Sequence, residues 1–366
     1  MLDMVKAEIR QDLEQLTALD AVSGHEQAMV RAMRDRLGPL SDELNVDTFG
    51  NVRATLSGTG DGYHLMLAAH SDEIGLIVKS IEPNGYLRFS TAGGVQPGLL
   101  PARMVRVNGA VHGIIGVKSG HLLLPEERNR PVEPDRLYID IGADSSAAVA
   151  ELGVRIGDPV AFVSPLTELN HPGILAGKAI DDRLGCAVLL AVMRQLRRDP
   201  SRTKVSCVIT TQEEVGLRGA AVAAYSVDPD CAVAIDTFMS GDTPDVDFHR
   251  EMPAAIGKGP VLLVASGGDA HGNFIHPAME RLLEQAAADA KVPYQRATVL
   301  GKAATDASTI HLARGGIPTG GVGLARRYSH SPVCTCHLED AANAVIWLLA
   351  LVRTLDGRPS LAFLPD

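Results

Sequence analysis

The sequence predicts an α/β sandwich on a mostly parallel sheet, interrupted by a small inserted β-rich domain. Three observations carry that expectation. Short apolar runs with the composition of buried strands alternate with amphipathic helical stretches in the early and later parts of the chain. Between them, from about 75 to 165, strand-like pieces are broken by Gly and Pro and helical periods are few. At 366 residues, 46% hydrophobic and 21% charged, the chain is long enough to bury more than one core.

In order, residues 3 to 19 show the apolar spacing of a helix. Ser23 and Glu26 make a capping-box pattern, expected to open a second helix that stops near Gly38-Pro39. Residues 44 to 56 read as a hairpin turning at Gly50-Asn51, and 63 to 70 as a buried strand ending in His70. After the insert, 182 to 197 form a helix with Leu184, Val188, Ala191 and Val192 on one face. Residues 204 to 211, 231 to 236, 259 to 266 and 318 to 324 read as strands, and 276 to 291 and 337 to 352 as helices.

Composition excludes several function classes. A net charge of −10 argues against a nucleic-acid partner, because phosphate binding needs a basic footprint. The longest unbroken apolar run, residues 344 to 352, is too short to span a bilayer, and the first residues carry no apolar signal core. Five cysteines, at 186, 207, 231, 334 and 336, make no disulfide framework and suit a reducing cytoplasm. Cys334-Thr335-Cys336-His337 resembles half of a metal clip, but its second half is missing.

The chemistry gathers at strand ends. In open α/β sheets, ligands bind outside the carboxyl ends of the strands. His70-Ser71-Asp72-Glu73 follows one strand and Glu213-Glu214 another, while Asp181-Asp182 opens a helix. Asp236 ends a third strand, and Arg327 to Pro332, with His330, follows a fourth. Taken singly, each is an ordinary cap, turn or solvated acid. Together they send acids and histidines from five elements to one rim, where that many carboxylates repel unless a cation joins them. Two histidines and three carboxylates, one of them bridging, suit a pair of zinc-like ions with open positions for water. One glutamate of the 213–214 pair then binds metal, and the other stays free to move protons. A sugar-cleaving pair of acids, as in an endoglucanase, is the rival chemistry, but it gives neither histidine a role.

At this point the residues resemble a known family. "AAHSDEIGLIV" (68 to 78), "GKAIDDRLGCAV" (177 to 188), "TTQEEVGLRGA" (210 to 220), "AIDTFMSGDTPD" (234 to 245), "ATDAS" (304 to 308) and "RYSHSPV" (327 to 333) resemble the glutamyl- or tetrahedral-aminopeptidase family of dinuclear metallopeptidases, metallopeptidase family 42. Residues 121 to 162 are similar to that family's inserted domain. The resemblance implies a three-layer sandwich of the zinc-exopeptidase type with a mixed, mostly parallel sheet. Residues 1–74 and 166–366 would form the catalytic domain, and 75–165 an inserted domain for dimerisation and oligomerisation. It implies that Asp181 bridges two ions, with His70 and Asp236 completing one site and Glu214 and His330 the other. Glu213 would be the general base, Asp72 would orient His70, and Asp306 would lie near the substrate. The implied activity is removal of N-terminal residues from peptides by a cytoplasmic homo-oligomer, most simply a dodecamer. Its ions would be zinc, with cobalt or manganese as alternatives, and a related zinc deacylase or carboxypeptidase is the nearest rival. Asp182 stands where the family usually has Asn, Ala303 and Ala304 where it has glycines, and Cys334 where a Glu commonly follows.

Overall fold

The computed structural model describes residues 2–125, 133–268 and 271–364. Helix α1 (Leu2–Thr17) buries Val5, Ile9, Leu13 and Leu16, which recur at helical spacing along one stripe. Helix α2 (Gln27–Leu37) follows, and its start departs from the capping-box expectation. Glu26 sits at the cap position without a side-chain cap bond, and Ser23 Oγ donates to Asp72 Oδ2 at 2.6 Å. A buried carboxylate 49 residues away outcompetes the local helix end for that hydroxyl.

Strands β1 (Glu43–Val46) and β2 (Val52–Leu56) form the expected hairpin. The Asp47 carboxylate accepts the N–H groups of Phe49 and Asn51, and Gly50 takes the left-handed φ of +100° that the turn requires. Strand β3 (His64–His70) then leads toward the insert. Here β4 (Gly75–Ile81), β5 (Leu87–Ala92), β6 (Met104–Val107), β7 (Val111–Gly116), β8 (Tyr138–Asp140) and β9 (Pro159–Phe162) close into a barrel in the order β4-β5-β8-β7-β6-β9. Helix α3 (Ser146–Glu151) precedes β9. Leu76, Val78, Leu87, Val105, Val107, Ile115, Ile139 and Val160 fill the barrel's own core. Strand β4 pairs with β9, so the chain enters and leaves the barrel side by side. Residues 126–132 of the stretch read at 121 to 162 lie outside the described residues.

The rest of the chain runs through β10 (Thr167–Glu168), β11 (Ile174–Gly177), α4 (Ile180–Arg198), β12 (Lys204–Thr210), α5 (Arg218–Val227), β13 (Cys231–Met239) and β14 (Val261–Gly267). It ends with β15 (Gly272–Phe274), α6 (Pro277–Ala290), β16 (Gln295–Val299), α7 (Ala307–Ile310), β17 (Thr319–Arg327), β18 (Cys334–His337) and α8 (Leu338–Leu355). Among the described residues these strands and β1–β3 make one twelve-stranded mixed sheet. The strands β12, β3, β13 and β17 are parallel neighbours at its centre. The flanks differ from the mostly parallel expectation: β1 and β2 on one side, and β18, β11 and β10 on the other, pair antiparallel.

Helices cover both faces of the central strands. Leu65, Leu67 and Ala69 of β3, with Val205, Cys207 and Ile209 of β12, pack against residues of α1, α4, α6 and α8. The alternate residues Met66, Ala68 and Val208 pack with Ala220, Ala223 and Ala224 of α5 and Ile310 of α7. Burial on two faces is why these strands are unbroken apolar runs, without the alternation of half-exposed strands. It also leaves their carboxyl ends as the place where polar groups can meet solvent.

Candidate active site

Strand β3 ends in His70, which is 2% exposed. Its Nε2 lies 3.1 Å from Asp181 Oδ1 and 3.8 Å from Asp236 Oδ1. Asp236 belongs to β13, which runs three residues past the expected strand end. Asp181 sits at the start of α4, where it and Asp182 hold non-helical backbone angles, so its carboxylate turns into the site. Its other oxygen, Oδ2, lies 3.5 Å from His330 Nε2, and that nitrogen is 3.5 Å from Glu214 Oε2. The site therefore contains two sets of candidate ligands, His70–Asp181–Asp236 and Asp181–Glu214–His330, with ligand atoms within 4.8 Å of one another in each. Asp181 is common to both.

Asp72 belongs to neither set. Its Oδ1 lies 3.5 Å from His70 Nδ1, while Ser23 Oγ and the backbone N–H groups of Glu213 and Glu214 donate to its two oxygens at 2.6, 3.0 and 3.1 Å. Asp72 thus holds the backbone of both glutamates with its carboxylate, and its backbone carbonyl, 3.2 Å from His70 Nδ1, holds the histidine. Glu213 is also outside both sets, yet it lines the same cavity, of about 510 Å³, as Asp181, Glu214, Asp236 and His330. Asp306 does not line that cavity, although its neighbour Thr305 does; Asp306 Oδ2 accepts from Thr210 Oγ1 at 2.6 Å. Ala303 and Ala304 are on the cavity wall.

The sequence reading missed three contributors. Arg326, 5% exposed, reaches Asp181 Oδ2 with Nη2 at 2.5 Å. Ser23, which its spacing to Glu26 marks as a helix cap, instead donates to Asp72. Gly94, after β5 of the barrel, backs His330, and a Cβ there would meet His330 Nδ1 at 2.4 Å. The run of adjacent arginines at 326 and 327 is the one sequence signal for the first. The other two depend on contacts between distant segments.

With only the chain's own charges present, the carboxylates cannot all ionise. Burial pushes the carboxyls of Glu213, Asp236 and Asp182 well up, with neighbouring acids adding to it. Burial and the charge of Asp181 push Glu214 up to about 7. Burial opposes charge on His70, but Glu213, Asp181 and Asp72 outweigh it and hold the imidazole well above its ordinary value. Burial likewise opposes Asp181, but Arg326, His330 and His70 keep it ionised. Glu214 Oε1 is buried with no hydrogen-bond partner. Two sets of nitrogen and oxygen donors that share one carboxylate and include an orphaned oxygen fit divalent cations.

Residues 50–346 match the family model described as M42 glutamyl aminopeptidase. The chain belongs to that family. Membership carries the coarse activity with it: this M42 protein is a metal-dependent aminopeptidase. It is 31% identical over 339 residues to the lysyl aminopeptidase of Pyrococcus furiosus, covering 91% of this chain and 94% of that protein. It superposes with a TM-score of 0.90 on a TET aminopeptidase from the marine sediment archaeon Thaumarchaeota archaeon SCGC AB-539-E09, at 33% identity, covering 96% of this chain and 99% of the other. The Pyrococcus horikoshii TET1 peptidase, described as assembling into a tetrahedron or a large octahedral shell, superposes with a TM-score of 0.81 at 29% identity, covering 94% and 99% of the two chains. Among the described residues, no helix of the M42 chain is long and apolar enough to cross a membrane.

Proposed function

We propose that the protein removes single residues from the free N-termini of peptides, using two divalent ions per subunit. His70, Asp181 and Asp236 would hold one ion, and Asp181, Glu214 and His330 the other. The observation that carries this reading is the pair of donor sets sharing Asp181, with Glu213 on the cavity wall outside both. Ions in those positions supply the Lewis acidity that lowers the pKa of a water and polarises a scissile carbonyl. Glu213 accepts a proton from the attacking water and returns it to the leaving amine nitrogen. Its backbone is pinned by Asp72, so the carboxylate is presented from a fixed point. Asp72 also steadies the His70 ring, a common role for a carboxylate behind a ligand histidine. Asp306 acts from behind the wall by holding Thr210, at the end of β12.

Zinc is the working metal in this reading, with cobalt or manganese able to take its place. The larger unit, residues 1–74 and 166–366, is a three-layer sandwich of the zinc-exopeptidase type, a reading supported by the helices on both faces of its central strands. The insert, 75–165, mediates assembly into a closed homo-oligomer, most simply a dodecamer, as the shells described for the Pyrococcus horikoshii relative suggest. Five buried, unpaired cysteines support a cytoplasmic setting.

The test is release of an amino-acid anilide and of the first residue of a short peptide, each with and without chelator, beside the N-acetylated peptide. Activity that needs metal and a free amino group is expected. Equal cleavage of the acetylated peptide would point to a deacylase or endopeptidase, and activity surviving chelation would remove the metal reading.

A further inference from the structure

We propose that Arg326 is a resident cation that weakens the Asp181–Glu214–His330 site, so that the enzyme fills the His70–Asp181–Asp236 site at much lower metal concentration. The inference rests on the two-ion reading above and extends it to the order of filling.

The geometry divides the shared carboxylate unequally. Asp181 Oδ1 faces His70 Nε2 at 3.1 Å and is free of any guanidinium. Asp181 Oδ2, the oxygen 3.5 Å from His330 Nε2, carries Arg326 Nη2 at 2.5 Å. The oxygen that must turn toward the second ion is thus held by a cation with no proton to give up, whereas the His70 contact on the first is released when that ring becomes a ligand. Arg326 is the penultimate residue of β17, and side chains alternate along a strand. Arg327 turns to Asp242 at 2.7 Å, while Arg326 turns into the site.

Among the described residues, Asp181 is the one carboxylate within ion-pair distance of the guanidinium. Its Nε is buried without a hydrogen-bond partner, and its Nη1 has Cys334 Sγ at 3.8 Å. Guanidinium does not lose its proton in proteins, so its charge cannot be shed when an ion arrives. A dication entering the second set would meet that charge across a few ångströms and compete with it for Asp181 Oδ2. The first set does not share the oxygen that Arg326 holds, although the charge of Arg326 also reaches its ligand Asp236. Arg326 acts through Asp181 and is a positioning residue.

The test uses metal-stripped full-length protein titrated with Co²⁺, read by visible absorption and by equilibrium dialysis with metal counting. In wild type, two dissociation constants separated by about 100-fold or more are expected. Arg326→Met should lower the second constant by about tenfold or more and leave the first within about threefold, whereas Arg326→Lys, whose ammonium can lose its proton when buried, should lower it by less than Met does. Thermal unfolding of each variant is followed alongside, and Arg326→Gln serves if the Met variant does not fold. A second site unchanged or weaker in the uncharged variants overturns the proposal. Two equally tight ions in wild type overturn it as well, and leave the two-ion reading standing. Fewer than two ions at saturating Co²⁺ removes that reading, and this inference with it.

Discussion

Glu213 and Glu214 are neighbours in sequence whose side chains meet different surroundings. Glu214 joins His330 and Asp181 within ligand distance, whereas Glu213 lines the cavity outside both sets. Glu213→Gln should therefore lower kcat by roughly 10²–10⁴-fold with two metals still bound, because it removes a proton carrier and no ligand. Glu214→Gln should lose metal from one site, and counting ions on the two purified variants separates the roles. Equal metal loss in both would refute this division. Asp72 offers a second test. Replacing it by Ala strips a partner from Ser23 and from two backbone N–H groups, and removes the negative charge 3.5 Å from the His70 ring while leaving the backbone carbonyl bonded to that ring. Metal affinity should fall by about 10–100-fold. Stability should fall by about 1–3 kcal/mol, because buried donors are left unsatisfied, and denaturant unfolding of the metal-free protein reads that loss directly. The extra acid at 182 fits the same setting, since burial and the nearby Asp236 push its carboxyl well up, toward the neutral form that an amide always has.

At the scale of elements, the barrel reaches into the catalytic cavity through the loop after β5. Gly94 leaves no space for a side chain against His330. Gly94→Ala should displace that ring and weaken metal binding by about tenfold or more, with little change in thermal unfolding, since the residue lies outside the buried apolar clusters. Cobalt titration beside a melting curve checks it. Much of the element pattern was legible in the sequence, because β3, β12 and β13 are apolar on both faces and α4 shows a helical stripe. The convergence of the rim residues was legible as well, since His70, Glu213, Glu214, Asp236 and His330 stand at or after expected strand ends and Asp181 opens a helix. Strand direction on the flanks was not, because burial sets the apolar pattern of a strand whichever way its neighbour runs. Ser23, read as a cap, and Arg326, flanked by a surface-like Arg327, were illegible for one reason. Their partners lie 49 and 145 residues away, and spacing along the chain carries no information about such meetings.

For the whole molecule, the barrel exposes Met104, Ile114, Leu152 and Ile156, an apolar presence suited to contact with other subunits. Light scattering at micromolar concentration with metal present should give a closed assembly, and a mass at monomer size would rule that out. Replacing the insert by a short linker should give smaller species, because β4 and β9 lie side by side and their ends can be joined without disturbing the sheet. The same arrangement sets a schedule for biosynthesis. Strand β3 pairs only with β12 and β13 among the described strands, and the whole barrel stands between them in the sequence. At ribosomal speeds, β3 waits roughly 10–30 s for its second partner to be made. The barrel, whose strands pair with one another, can fold during that interval. The nascent chain would then carry a finished module beside an unpaired apolar strand, which makes the half-made catalytic unit the stage at which a chaperone matters most.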